Sequence, residues 1–125
     1  MQARDSGRLA LGFETDGDSL YLPQALWTAA HERIPVLLVV ENNRSYWRDE
    51  IHQRAVARER GRDEARAAAG VLLRDPDVDF AALARSLGVA STGPVSTVGD
   101  LRAAVTAGLQ VVDQGDPFLI EARTA

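Results

Sequence analysis

The sequence predicts an α/β domain with a parallel sheet, because short apolar runs alternate with helical patterns along the chain. The clearest run is Pro35–Glu41, a near-continuous stretch of β-branched and leucine residues that is typical of a strand covered on both faces. It follows a helical pattern, which itself follows an apolar run at Arg8–Glu14. A strand, a helix and a strand within about 35 residues form a βαβ unit. Its right-handed crossover leaves the two strands parallel.

The helix between these two strands is expected to begin at Pro23, where the missing N–H of proline has no cost. Its buried face is expected to consist of the apolar residues at helical spacing, Leu22, Leu26, Ala29, Ala30 and Ile34. The segment 46–70 is rich in Arg, Glu and Ala and has no clear apolar stripe. We expect it to be partly helical, and either mobile or in contact with a partner.

Two more helices and two more strands are expected in the second half of the chain. Asp77 or Asp79 caps one helix, which ends at Gly88. A short strand at Val89–Thr92 precedes a helix capped by Thr97. The buried stripe of that helix is expected to consist of Leu101, Val105, Leu109 and Val112. The final run, FLIEA, gives a fourth strand, and the elements together predict a three-layer domain.

The length and composition fit one small domain over residues 1–125. With 46% hydrophobic and 26% charged residues, a soluble domain with a packed core is expected. Four strands make a thin sheet for this architecture, so the domain is expected to be partial. The net charge of -4 argues against a nucleic-acid surface. The absence of cysteine excludes disulfides and thiolate metal sites. No apolar run is long enough to span a membrane and the first residues lack the apolar core of a signal peptide, so a cytoplasmic protein is expected.

Polar residues follow the first two predicted strands. Asp16 comes just after the first, and Asn42 and Asn43 come just after the second. In open parallel sheets, ligands bind beyond the carboxyl ends of the strands. Neighbouring strands run about 4.8 Å apart, so Asp16 and an asparagine can reach the same point. A carboxylate and an amide oxygen are the hard ligands that Mg²⁺ takes together with phosphate oxygens and water.

Two features beside Asp16 favour a phosphate. Gly17 lets the backbone come close to a ligand. The helix that begins near Pro23 directs its positive end towards the same edge of the sheet. The sequence therefore predicts one metal and phosphate site there. The alternative is that Asp-Gly is only a turn and Asn-Asn only a loop.

The same residues resemble the thiamine diphosphate motif, in which Gly-Asp-Gly precedes Asn-Asn at the spacing found here. Asp16 precedes Asn43 by 27 positions. The segment PQALWTAAHERIPVLLVVENNRSY is similar to acetolactate synthases and benzoylformate decarboxylases. Residues 79–124 resemble the end of their diphosphate-binding domain. The resemblance implies the thiamine diphosphate-binding fold, here truncated on its N-terminal side.

The resemblance also implies roles for particular residues. Mg²⁺ would be bound by the carboxylate of Asp16, the amide oxygen of Asn43 and the backbone carbonyl of Ser45. The diphosphate would lie against backbone N–H groups of Gly17 and Asp18, with Tyr46 close to the cofactor. Asn42 would shape the turn. No catalytic residue is assigned.

The function that this resemblance implies is that of the thiamine diphosphate- and Mg²⁺-binding portion of an enzyme acting on 2-keto acids. The reaction would be a decarboxylation or an acetolactate synthase-like carboligation. The activating glutamate would come from a separate pyrimidine-binding domain or chain, in a dimer or higher oligomer, so the isolated chain is expected to be inactive. The alternatives are a non-catalytic truncated remnant of such an enzyme and a flavodoxin-like binding module.

Several other residues have simpler interpretations. His31 is expected at the surface near the end of the first helix, where a cation is favoured. His52 and Glu50 are expected to be solvated, although either could face an active site. Trp27 is expected in the core. The arginines between Arg54 and Arg66 alternate with acids and are expected on a solvated face without a phosphate-binding pattern.

Overall fold

Four parallel strands form the sheet in the computed structural model, which describes residues 7–124. The strands are β1 (Ala10–Thr15), β2 (Val36–Asn42), β3 (Ala90–Val95) and β4 (Phe118–Arg123), in the order β1-β2-β4-β3. Every neighbouring pair is parallel. The prediction of an α/β domain with a four-stranded parallel sheet is confirmed.

Helices lie on both faces of the sheet. They are α1 (Asp16–Ser19), α2 (Ala25–His31), α3 (Trp47–Glu59), α4 (Phe80–Ser86) and α5 (Val98–Asp113), with a 3₁₀ segment at Glu64–Ala68. None of the helices within residues 7–124 is long and apolar enough to cross a membrane.

Two apolar clusters join these layers. The cluster on the α5 side contains Leu37, Ala104, Val112, Phe118 and Ile120. The cluster on the other side, to which α2 and α4 contribute, contains Val40, Phe80, Ala84, Val89 and Leu119. The layers approach closely at Gly108 of α5, where an added Cβ would lie 2.7 Å from the Leu37 side chain. The core therefore sits on both faces of β2 and β4, which are the central strands.

Side-chain caps set where two of the helices begin. Thr97 accepts a hydrogen bond from the Asp100 N–H at 3.1 Å and donates to its carboxylate at 2.7 Å, so the predicted cap of α5 is confirmed. Asp79, rather than Asp77, caps α4, since its carboxylate accepts the N–H of the third helical residue at 2.6 Å. Gly88 follows that helix with a φ of +86°, which suits a residue without a Cβ.

The region between β1 and β2 differs from the prediction. The predicted turn after β1 is the helical turn α1, and the next helix begins at Ala25 rather than Pro23. Leu22 and Ile34 therefore lie outside α2 and are 66% and 41% exposed. Only the middle of the predicted face, around Ala29, is buried.

The stripe predicted for α5 is also partly wrong. Leu109 is 39% exposed, whereas the buried positions are Ala104, Gly108 and Val112. Small residues occupy the buried stripe because α5 lies close to the sheet, and Leu109 falls beside that contact rather than on it.

Candidate functional site

The carboxyl ends of β1 and β2 meet at one edge of the sheet. The two strands are hydrogen-bonded neighbours, with Thr15 paired to Glu41 at the end of β1. Asp16 follows directly after β1, and Asn42 is the last residue of β2. The predicted adjacency of these two polar segments is therefore confirmed, and the strand order expected of an unrelated flavodoxin-like module, with the two segments on separated strands, is not found.

Oxygens from Asp16 and Asn43 converge on a single backbone N–H. The N–H of Ser45 donates to Asp16 Oδ2 at 3.2 Å and to Asn43 Oδ1 at 2.9 Å. The other Asp16 oxygen, Oδ1, accepts the N–H of Gly17 at 2.8 Å. The structure thus brings together the three residues that the resemblance implied as metal ligands, although Asp16 begins α1 and the other two lie in the loop after β2.

The Asp16 carboxylate is buried without a cationic partner. Its residue is 1% exposed, and no arginine or histidine nitrogen among residues 7–124 lies within 4.0 Å of it. Buried charges in proteins are normally paired or bound to a metal ion. Within the same residues there is no group of three or more histidine, aspartate or glutamate side chains suited to a metal. The oxygen that shares the Ser45 N–H with Asp16 is the amide oxygen of Asn43.

The Tyr46 ring covers Gly17. A Cβ added at Gly17 would collide with Tyr46 Cε1, so only glycine fits beneath the ring. Burial, the nearby Tyr21 hydroxyl and the charges of Asp16 and Asp18 all raise the pKa of Tyr46. The phenol therefore stays neutral at physiological pH.

Thr15 and Asp18 hold the first turn of α1. Thr15 stands where the motif has its first glycine, and its extended backbone and side chain make it the N-cap of α1. Its hydroxyl accepts the Asp18 N–H at 3.3 Å. The Asp18 side chain is exposed, so it lies at the surface of this loop rather than in its interior.

Glu50 is a site residue that the sequence interpretation missed. It was expected to be solvated, but it is 6% exposed and accepts a 2.7 Å hydrogen bond from the Ser45 hydroxyl. Arg54 donates to the other Glu50 oxygen from Nε at 3.0 Å and from a terminal nitrogen at 2.7 Å. These hydrogen bonds, from Ser45 first and then Arg54, lower the pKa of Glu50. The spacing of Glu50 and Arg54, four residues apart on α3, was a signal that could have revealed the pair.

Asn42 and Glu121 form a second buried contact beside the site. Asn42 Nδ2 donates to Glu121 Oε1 at 2.7 Å, and Asn42 Oδ1 accepts the Arg44 N–H at 3.2 Å. The second bond confirms that Asn42 shapes the turn. Glu121 is fully buried, also accepts the N–H of Ala81 at 3.2 Å and lies 3.6 Å from an Arg123 nitrogen. This contact joins the ends of β2 and β4, and the sequence interpretation did not identify it.

The aromatic and histidine residues on α2 and α3 lie outside this arrangement. Trp27 is 54% exposed and stacks on His31, with 4.8 Å between ring centroids, so its predicted core position is wrong. It points away from the sheet because Ala29 and its neighbours occupy the buried face of α2. His31 and His52 are exposed, as expected.

A four-stranded parallel sheet with a buried carboxylate and amide oxygens at its carboxyl edge defines an α/β ligand-binding domain. Comparison with known protein families identifies the family to which this domain belongs. Residues 2–122 match the family described as thiamine pyrophosphate enzyme, C-terminal TPP binding domain. The chain belongs to this family, and the resemblance inferred from the sequence is confirmed.

Solved structures include relatives of the same fold. The thiamine diphosphate-dependent 4-hydroxybenzoylformate decarboxylase of Rhodococcus jostii RHA1 is 30% identical over 94% of this chain, with a TM-score of 0.67. The benzoylformate decarboxylase of Polynucleobacter necessarius is 22% identical over 98% of this chain, with a TM-score of 0.69, which shows the fold. The chain spans about a fifth of each structure, 20% and 21%. A search of curated proteins found no match.

Proposed function

We propose that this chain is the thiamine diphosphate- and Mg²⁺-binding portion of an enzyme that acts on 2-keto acids. The observation that carries the proposal is the convergence of Asp16 Oδ2 and Asn43 Oδ1 on the Ser45 N–H. The two oxygens lie 3.2 and 2.9 Å from the same nitrogen and so face the same point, where in this proposal one cation contacts both.

The residues present fit a magnesium ion. Mg²⁺ prefers oxygen ligands and is commonly held by one or two carboxylates, with phosphate oxygens and water completing the octahedron. Asp16 offers a buried carboxylate without a cationic partner among the described residues, which a divalent ion would balance. In this proposal Asp16, Asn43 and the backbone carbonyl of Ser45 bind the ion.

The diphosphate would lie along the loop after β1. Gly17 and Asp18 would face it with their backbone, and Tyr46 would lie beside the cofactor, since its ring already covers Gly17. When bound, thiamine diphosphate supplies the carbanion-stabilising chemistry of the reaction. The contribution of this chain is to anchor the metal and the diphosphate and to exclude water around the buried Asp16 carboxylate.

The proposed substrate is a 2-keto acid, and the proposed reaction is a decarboxylation or an acetolactate synthase-like carboligation. Decarboxylation is supported by the 30% identity to a protein named as a 4-hydroxybenzoylformate decarboxylase. A separate pyrimidine-binding domain or chain would supply the activating glutamate, in a dimer or higher oligomer, so the chain alone would be inactive. A cytoplasmic location stays a prediction from composition.

The test is calorimetric titration with thiamine diphosphate and Mg²⁺, using the chain alone and mixed with a candidate pyrimidine-binding domain. We expect binding heat and a rise in the melting temperature in at least one of the two conditions, since a ligand that binds only the folded state stabilises it. The variant Asp16→Asn keeps the side-chain shape and should abolish the Mg²⁺-dependent part of the binding heat and of the rise in melting temperature. The matched control is Asp49→Asn, an exposed position of α3 outside these contacts.

Two results would count against the proposal. One is the absence of heat and of stabilisation in both conditions, which would favour the alternative of a non-catalytic remnant. The other is an equal effect of the Asp16 and Asp49 substitutions on binding, which would mean that the buried carboxylate has no particular role.

A further inference from the structure

A groove of about 620 Å³ lies between α3 and the segment that follows it. His52 and Val56 line it from one face of α3, and Arg60, which directly follows the helix, continues their spacing of four residues. Arg62 and Arg66 line it from the loop and the 3₁₀ segment. The proposed cofactor residues lie elsewhere, at the ends of β1 and β2, so the groove is a separate feature.

The groove has an excess of positive charge. Three arginines line it, whereas Asp63 is the one acidic residue among the described lining residues. The Asp63 carboxylate already has two partners, since it accepts the Ala65 N–H at 2.9 Å and lies 3.9 Å from Arg66 Nε. Within residues 7–124, neither Arg60 nor Arg62 has an acidic side chain within 4.0 Å.

The neighbouring acids are engaged by other arginines. Glu50 accepts from Arg54, and Glu64 accepts two hydrogen bonds from Arg58 at 2.9 and 2.8 Å. The Arg58 hydrogen bonds lower the pKa of Glu64, which keeps that carboxylate charged and paired. The Arg54–Glu50 and Arg58–Glu64 pairs therefore lie outside the groove. Arg60 and Arg62, which have no acidic partner among residues 7–124, line the groove beside the Asp63–Arg66 pair, in a chain whose net charge is -4.

The groove also has an apolar floor. Val56 and Ala57 from α3 and Ala67 from the 3₁₀ segment line it beneath the arginines. Carbonyls at the end of a helix disfavour an anion, but three of those near the end of α3, on Val56, Ala57 and Arg58, accept backbone N–H groups from residues 60–62. A volume of this order matches the clefts that hold small organic ligands. Guanidinium groups match phosphate oxygens in geometry and can donate two parallel hydrogen bonds.

We propose that this groove binds an organic phosphate of nucleotide size. Its phosphates would pair with Arg60 and Arg62, and its ring would lie against Val56. A doubly or triply charged ligand matches three guanidinium groups better than a single carboxylate does. The site is independent of the proposed cofactor site, so the chain would bind this ligand without Mg²⁺ and with or without thiamine diphosphate.

The experiment is calorimetric titration of the full chain with ADP, in the absence of Mg²⁺. We expect saturable binding that weakens as salt is raised, because exposed charges are screened. The double variant Arg60→Gln/Arg62→Gln should weaken ADP binding at least about tenfold, since it removes two charge-assisted contacts. The control is Arg48→Gln/Arg102→Gln, which changes the net charge equally at two exposed positions outside the groove. It should stay within about twofold of the wild type in affinity, as expected for sites that do not contact the ligand.

Further titrations distinguish the groove from other sites. Asp16→Asn should leave ADP binding unchanged, whereas it should abolish the Mg²⁺-dependent binding of thiamine diphosphate. The proposal would be overturned if ADP fails to bind, if the control double variant loses as much affinity as the groove variant, or if Asp16→Asn abolishes ADP binding. Inorganic phosphate binding as tightly as ADP would also overturn it, because the apolar floor would then contribute nothing. Unchanged circular dichroism and urea midpoints would show that the variants are folded.

Discussion

The hydroxyl of Ser45 donates a 2.7 Å hydrogen bond to Glu50, while the N–H of the same serine is directed at Asp16. Glu50 is therefore hydrogen-bonded to Ser45, the residue whose N–H contacts the oxygens of both Asp16 and Asn43. Arg54 holds the other Glu50 oxygen and also donates to the backbone carbonyl of Glu64 at 3.2 Å. Helix α3 and the 3₁₀ segment are thereby tied to the loop that follows β2, and α3 has a structural role despite lacking an apolar stripe.

The first prediction concerns the free energy of unfolding. Glu50→Ala would leave the Ser45 hydroxyl and Arg54 without their partner, and we expect a loss of about 1–3 kcal/mol. Arg54 is 39% exposed, so solvent recovers part of its contribution and the loss should stay within that range. Urea denaturation gives the value. The control is Glu59→Ala, an exposed glutamate at the end of the same helix, which should change stability by less than about 0.5 kcal/mol. Equal losses in the two variants would contradict the role assigned to Glu50.

The contact between Gly17 and Tyr46 gives a second prediction. Gly17→Ala should destabilise the chain by about 1–3 kcal/mol, because the new Cβ would collide with the Tyr46 ring. In a Tyr46→Ala background the same change should become neutral or slightly stabilising, since alanine is favoured over glycine within a helix by about 0.5–1 kcal/mol. Urea denaturation of the four proteins of this double-mutant cycle measures the coupling. A penalty that persists without the ring would mean that Gly17 is required for another reason.

Much of the fold was predictable because hydrophobic patterning and turn residues act locally. The strand β2 and the Thr97 cap of α5 could be predicted from residues adjacent in sequence, and the structure has both. The adjacency of Asp16 and the paired asparagines was expected from the βαβ unit, because consecutive strands are more often neighbours in a sheet than not, and the structure has it.

The failures occur where contacts outside the hydrophobic pattern of a single element decide the outcome. Trp27 was expected in the core because large aromatic residues usually bury much of their surface, but α2 is seven residues long and its buried face is formed around Ala29. Glu50 was expected in water because a charged residue on a helix without an apolar stripe is normally solvated. It is buried instead, with hydrogen bonds from the Ser45 hydroxyl in the loop after β2 and from Arg54 on α3. Glu121 lay inside an apolar run, and its partner Asn42 is 79 residues away.

The buried contact between Asn42 and Glu121 leads to a third prediction. Asn42→Asp would place two carboxylates about as close as the present 2.7 Å contact, and we expect it to cost more than Asn42→Ala, by at least about 1 kcal/mol. The swapped pair N42D/E121Q should recover much of this loss. Its glutamine can donate to the new carboxylate and still accept the Ala81 N–H that Glu121 accepts now. Urea midpoints of the four proteins provide the comparison. A double variant as unstable as Asn42→Asp alone would show that the direction of this hydrogen bond is not what matters.

The raised pKa of Tyr46 gives a fourth prediction, and the chain is suited to it because it contains two tyrosines. In a Tyr21→Phe variant, ultraviolet titration of the remaining phenol should report Tyr46 alone. Its pKa should lie above the usual value of about 10, since burial, the largest cause of the shift, remains. For an acid whose pKa is raised by folding, the associated stability is fully present below the unfolded pKa and is lost as the pH rises through the folded one. Unfolding free energies of this variant, measured from pH 8 upward, should therefore fall only above about pH 10 relative to a variant that also carries Tyr46→Phe. A Tyr46 pKa at or below about 10 would mean that its ring is not held against Gly17 in solution.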